Sequence, residues 1–407
     1  MSLNTSVSGI NAAQSGLDVV SNDLANANTT AFKAGSARFG DIYPPAGSNS
    51  PGIGVKLQDI ERNFAQGQLQ TTSNPLDLAV QGKGFFIINH AGAQRYSRDG
   101  QFHLNPNNEL VNAAGDAVMG YTINPSGAPA GVLSKLTVGT GNLQAKATGS
   151  IGVVPSLNQN DPAISSAFNQ TNPNTYDEST SVVAYDSLGD ANHVQLYFVK
   201  NQGSGTATSP DTWTVYAQPR DAQGNNVGSA ANLTTLQFNG SGQLTGGSNA
   251  TLNVNWGNGS GASAINFDFT GATLAAQQFA VNGITNDGYP PGQFNGATVA
   301  KDGTVNANYT NGQKVAMGKL AMAAFINEQG LSAVSNNEFV ATRAAGQPAV
   351  NTPGVGLAGS IASGKLEQSN VNMSNSLVRL IQFQQTYQAN TSAIQTDKQD
   401  VQRLMQI

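Results

Sequence analysis

Leucine or isoleucine returns every seventh residue from the start of the chain, at Leu3, Ile10, Leu17 and Leu24, with Val7, Ala13, Val20 and Ala27 filling the steps of three and four. The last stretch repeats the pattern with Met373, Leu380, Tyr387, Ile394 and Val401, flanked by Leu377, Ile381, Leu404 and Met405. Both patterns belong to amphipathic helices. A narrow apolar seam on an otherwise polar helix is not stable alone in water, so each helix requires another to cover it. The two ends are therefore expected to pair with each other as a coiled coil and to offer their remaining faces to neighbours. Leu3, Val7, Ile10, Leu17, Val20, Leu24, Met373, Leu377, Leu380, Tyr387, Ile394, Val401 and Met405 are assigned to this assembly seam.

Between the seams the period changes from seven to two. Leu76 to Val80 alternates, Phe85-Phe86-Ile87-Ile88 reads as a buried strand, and Asp99-Gly100 offers a hairpin turn. Strands continue through Leu110 to Asn112 and Val118 to Tyr121. A similar set returns late, at Ala297 to Ala300, Thr304 to Tyr309 and Lys314 to Ile326, around Asp302-Gly303 and Asn311-Gly312. The chain between them has strand signals of its own at Val182 to Tyr185, His193 to Lys200, Trp213 to Gln218 and Leu236 to Asn239, joined by Asn-, Gly- and Ser-rich turns.

The expected fold is mainly β with terminal α-helices, in a nested plan: two antiparallel β domains, the outer one inserted in the inner one. The expected divisions are 1–30 and 366–407 for the terminal helical domain, and 31–70 and 346–365 for connecting segments. The inner β domain takes 71–144 and 283–345, and the outer one 145–282. The first connector holds Pro44-Pro45, Gly47, Ser48, Pro51, Gly52 and Gly54, residues that punctuate or extend a backbone. With 407 residues the chain is long enough for several cores.

Composition narrows the function. Only 11% of residues are charged and the net charge is -5, so no basic field exists to hold nucleic acid or an anionic membrane. The absence of cysteine excludes disulfides, thiolate catalysis and Cys-ligated metals. The first basic residue is Lys33, which leaves no Sec-type signal, and no stretch approaches the roughly 20 apolar residues of a membrane span, so no membrane insertion is expected. His90, His103 and His193 lack metal-ligand spacing. Gly359 to Lys365 opens like a phosphate-cradling loop but places Leu366 where Ser or Thr must hold magnesium. No catalytic residue, cofactor or metal is expected.

Three motifs carry a resemblance. Asn22-Asp23-Leu24-Ala25-Asn26-Ala27-Asn28-Thr29-Thr30-Ala31-Phe32-Lys33 resembles the N-terminal signature of the bacterial flagellar rod and hook axial proteins. Asn74 to Phe86 (NPLDLAVQGKGFF), continued by Tyr96 to Phe102 (YSRDGQF), is similar to the opening of that family's first β domain, and Leu366 to Asn372 with Tyr387 to Asn390 to its C-terminal signature. Ala31 stands where the family usually has Gly before Phe, and Gln385 where Arg is common. Length and the large insertion favour the hook branch over the shorter rod branch. The resemblance implies a structural subunit that polymerises into a tubular universal joint carrying torque from rod to filament. It also implies as partners the chain itself, the distal rod, the hook cap, the hook-length control protein, the hook-filament junction protein and the flagellar type III export apparatus. The location implied is the basal body and hook, outside the cell. A distal rod or junction protein, or a secreted β-rich adhesin or enzyme, is the alternative.

Overall fold

The computed structural model describes residues 3–43, 52–124, 127–201 and 211–405. Pro44, Pro45, Gly47, Ser48 and Pro51 of the expected connector lie outside the described residues, as does the side chain of Leu404. The fold is mainly β, with helix α1 (Leu3–Ala25) near the start and helix α2 (Met373–Leu404) near the end. The chain forms two compact units, one of Met1–Thr140, Gly296–Asn308 and Lys314–Ile407, the other of Gly141–Asn295 and Tyr309–Gln313.

In the first unit the early and late β segments interleave in one sheet. Lys319 and Leu320 pair with Tyr121 and Gly120, Met322 with Phe86, and Phe339 with Tyr96, all antiparallel. Phe85 to Ile88 are all at most 1% exposed, which is why the run shows no alternation: both faces of that strand are covered. On one side Phe85, Tyr96, Phe325 and Phe339 form an aromatic core, and the ring of Phe64 packs edge-on against Phe85 and Phe339.

The second unit is a two-sheet sandwich. Strands Glu178–Tyr185, Ala191–Lys200, Asp211–Arg220, Ala231–Phe238 and Leu244–Gly246 follow one another as an antiparallel meander. Alternate residues Val194, Leu196, Phe198, Trp213, Val215 and Ala217 point into a core shared with Ile151, Val153, Leu252, Ile265 and Phe267 of the second sheet. That second sheet corrects one expectation. Ser150–Asn158 pairs in parallel with Ser263–Asp268 and Thr273–Ala275, and antiparallel with Ala280–Asn286, so the sheet is mixed. A period of two is common to both pairing senses, and partners so distant in sequence leave no turn signal to tell them apart. Ala280–Asn286 also runs across the expected division at 282/283. The segments by which the chain enters and leaves this unit meet: Leu143 and Gly292 exchange backbone hydrogen bonds of 2.8 and 2.9 Å, and Lys146 and Tyr289 exchange two of 3.0 Å.

Candidate assembly interface

The helices lie antiparallel with small residues between them. On α1 the buried positions are Ser6, Ala13, Gly16, Val20 and Asp23. A Cβ added at Gly16 would stand 2.5 Å from the ring of Phe383, and one at Gly9 would stand 2.7 Å from the side-chain oxygen of Asn390. Glycine is required at Gly16 because the Phe383 ring occupies the space of a side chain. Ser376 is the buried residue in the first turns of α2, whose start is capped by Asn372, its Oδ1 accepting from the Asn375 N–H at 3.0 Å.

Most of the residues assigned to the seam lie elsewhere. Val20 joins the intramolecular contact, and Ile10, Leu17, Leu24, Leu380 and Ile394 are half-buried. Leu3, Val7, Met373, Leu377, Tyr387, Val401 and Met405 remain 37 to 77% exposed, together with Val378 and Ile381. Covering the part of each such side chain that is still exposed would contribute roughly 1–2 kcal/mol. The residues that make the contact within the chain, Ser6, Gly9 and Gly16, escaped the hydropathy reading. Their signal is the seven-residue interval between the two glycines.

A two-stranded ribbon, Gly35–Ile42 with Gly54–Arg62, packs on the helix pair. Its register places Ala37 opposite Ile60 and Phe39 opposite Leu57, giving one apolar face. Phe39 meets Phe383 edge-on with ring centres 6.2 Å apart. The Val55 N–H donates to Ser8 Oγ at 3.2 Å, and the Gly35 N–H to Asp23 Oδ1 at 2.9 Å. Burial raises the pKa of Asp23, against the opposing pull of that hydrogen bond.

Beyond α1 the chain reaches Ala31 in the left-handed region, at φ 57°. Its N–H donates to the carbonyl of Glu367 at 2.7 Å. Lys33 Nζ donates to Glu367 Oε1 at 2.6 Å and to the Ala65 carbonyl at 2.8 Å. Arg98 Nη1 stands 3.1 Å from Glu367 Oε2, its Nε donates to the Gly84 carbonyl at 3.1 Å and its Nη2 to that of Gly82. The Gly67 N–H completes the set on Glu367 Oε1 at 2.8 Å. Asn370 extends it, accepting from the Ala34 N–H at 2.8 Å and donating to the carbonyls of Asn63 and Ala65 at 2.7 and 2.9 Å. The Lys33, Glu367 and Arg98 side chains are all buried. Desolvation pulls the pKa of the Lys33 ammonium down, and the neighbouring Glu367 carboxylate resists. Two buried cations on one carboxylate persist only as a set, because an uncompensated buried charge costs several kcal/mol. Each of the three residues lies inside a motif quoted from the sequence, but nothing local reveals that they meet.

Among the described residues no group of three His, Asp or Glu side chains is placed to hold a metal, and no helix is long and apolar enough to cross a membrane. His90 faces Asp116 at 2.9 Å. The glycine-rich run before α2 folds as strand Ser360–Ser363, paired with Leu78–Gln81, and strand Lys365–Glu367, paired with Leu69–Thr71.

Four family descriptions match consecutive parts of the chain. Residues 3–33 match "Flagella basal body rod protein" and 79–153 match "Flagellar hook protein FlgE/F/G D1 domain". Residues 156–289 match "Flagellar basal body protein FlaE D2 domain", and 362–407 match "Flagellar basal body rod FlgEFG protein C-terminal". The chain is 35% identical over 419 residues to the flagellar hook protein FlgE of Salmonella typhimurium, with 100% of both chains covered, and equally so to that of Escherichia coli. It is 27% identical over 448 residues to FlgE of Treponema pallidum, covering 97% of this chain and 96% of that one. The crystal structure of Helicobacter pylori flagellar hook protein FlgE2 shares the fold, with a TM-score of 0.54 at 14% identity, over 74% of this chain and 100% of that one.

Proposed function

The chain belongs to the flagellar hook protein family and is a structural subunit of the hook, and from that premise we propose that its terminal helices are the surface through which copies of it polymerise. The family is structural, not enzymatic. The carrying observation is the row of apolar side chains on α1 and α2 that their own pairing leaves uncovered. Helices this polar gain order when neighbours cover their seams, which couples folding to assembly. The sole charged residue of α1 before its last turn is Asp18, so a tube lined by α1 would neither grip nor repel passing chains strongly, whereas α2 carries Arg379, Asp397, Lys398, Asp400 and Arg403.

The finer reading follows the family. The homopolymer is a flexible tubular joint carrying torque, and its ends meet the distal rod, the hook cap and the hook-filament junction protein, with the length-control protein and the flagellar type III export apparatus as transient partners. A chain without cysteine suits passage between redox compartments. The outer and inner β domains, each with its own core, supply the tube wall. Electron microscopy of the full chain in polymerising salt, beside Leu17→Asp and Ile394→Asp, tests the proposal. Tubes from the parent and none from the variants, with β structure retained by circular dichroism, are expected because a seam charge is costly to bury. Normal tubes from either variant would sink the seam assignment.

A further inference from the structure

The repeat that pairs the helices does not fix how far along one another they sit. In the observed register Gly16 faces Phe383 and Gly9 faces Asn390. The two glycines are seven residues apart, and so are Phe383 and Asn390. A slip of one heptad puts Gly9 against Phe383, and glycine again leaves room for the ring. Ser6, Ala13 and Val20 recur at the same interval, so the rest of the inner face of α1 presents small or medium side chains in either register. Such a slip would shift one helix by about 10 Å and present the outer seam at the wrong height.

The ribbon discriminates in part, since it is bonded to Ser8 and Asp23 of α1 and meets Phe383 of α2 through Phe39. The buried polar contacts that discriminate sit at the helix roots. From α1 to Ala31 the chain is a hydrogen-bonded turn, with Asn26 N donating to Asn22 O at 3.1 Å, Thr29 N to Asn26 O at 3.1 Å, and Phe32 N to Thr29 O at 3.3 Å. On the other side Asn370 stands just before the capping residue Asn372 of α2. Between these stiff roots run the bonds from Ala31 and Lys33 to Glu367 and from Ala34 to Asn370. None of them survives a shift of one heptad, and breaking them strands the buried Lys33 ammonium without its counter-charge.

We propose that the buried clasp of Lys33, Glu367 and Arg98, extended by Asn370, sets the register of α1 against α2. The value of that register to assembly rests on the seam reading above; the register itself is a property of one chain.

A chain without cysteine allows a direct test with introduced pairs. Gly9→Cys with Asn390→Cys reports the observed register, and Gly9→Cys with Phe383→Cys the slipped one. In the full chain, oxidation is expected to form the first disulfide about tenfold or more faster than the second, and Glu367→Gln or Asn370→Ala to bring the two rates within about threefold. Asn370→Ala leaves every buried charge paired and removes only the hydrogen bonds to Ala34, Asn63 and Ala65, so it tests the extended clasp even where Glu367→Gln unfolds the unit. An unchanged preference in both variants overturns the proposal, as does failure of the 9–390 bond with the clasp intact. Normal tubes from a Leu17→Asp chain that keeps the preference would defeat the seam reading and leave the register proposal standing.

Discussion

Lys33 Nζ lies 2.6 Å from Glu367 Oε1, with neither side chain exposed and 334 positions of sequence between them. The contact joins the segment that leaves α1 to the strand that leads into α2. A buried ion pair is weak evidence of net stabilisation, but loss of one partner is costly, and here the partners are unequal. Glu367 answers two cations; Lys33 answers one carboxylate that keeps Arg98.

Glu367→Ala should therefore destabilise the helix-bearing unit by about 3–5 kcal/mol, and Lys33→Met by less than about 2 kcal/mol. Hydrogen exchange of strand Phe85–His90 under urea measures both. A larger loss from Lys33→Met would contradict the unequal roles.

Ala31→Gly should stabilise the same unit slightly. The left-handed conformation at φ 57° costs alanine roughly 1–2 kcal/mol, and glycine returns roughly 0.5–1 kcal/mol of that as unfolded-state entropy. A net gain of about 0.5 kcal/mol is expected in the same exchange measurement. Destabilisation would mean that the methyl group of this residue, 1% exposed as a whole, packs for more than its backbone strain costs.

Asp99 gives a pH dependence. Burial, with Asp77 and Glu338 nearby, pushes its pKa up to about 6, against a hydrogen bond from the Gln101 N–H. The fold thus favours the protonated acid. The contribution of Asp99 is fully present below the unfolded value of 3.8 and is lost as pH rises through about 6. Asp99→Asn keeps an acceptor for Gln101 and should raise stability at pH 7 by up to about 2 kcal/mol, with no gain below pH 4. Denaturation midpoints for parent and variant at several pH values decide it; parallel curves would exclude ionised Asp99 as a source of instability.

What the sequence disclosed followed from local periodicity. The strand run Phe85 to Ile88 stands out because its burial is recorded in hydropathy, and the two helices because their seams are apolar although much of them stays uncovered within the chain. The inner face of α1 is recorded differently, in the absence of side chains at Gly9 and Gly16, and an apolar count overlooks room. The clasp was illegible for another reason: Lys33, Arg98 and Glu367 are each ordinary polar residues until the chain closes on itself. The parallel partners of Ser150–Asn158 were hidden likewise, since register across such distances is a product of the whole fold.

The backbone exchange between Leu143 and Gly292 has a consequence for variation. The segments by which the chain enters and leaves the second unit are bonded to each other, so they form a closed stem. Chain added beyond the stem does not widen the gap that the stem itself has to bridge, and loop-closure entropy grows only slowly with length. Such a stem turns everything above it into exchangeable territory, where a lineage can change length and surface freely, and where a designer could graft a foreign domain.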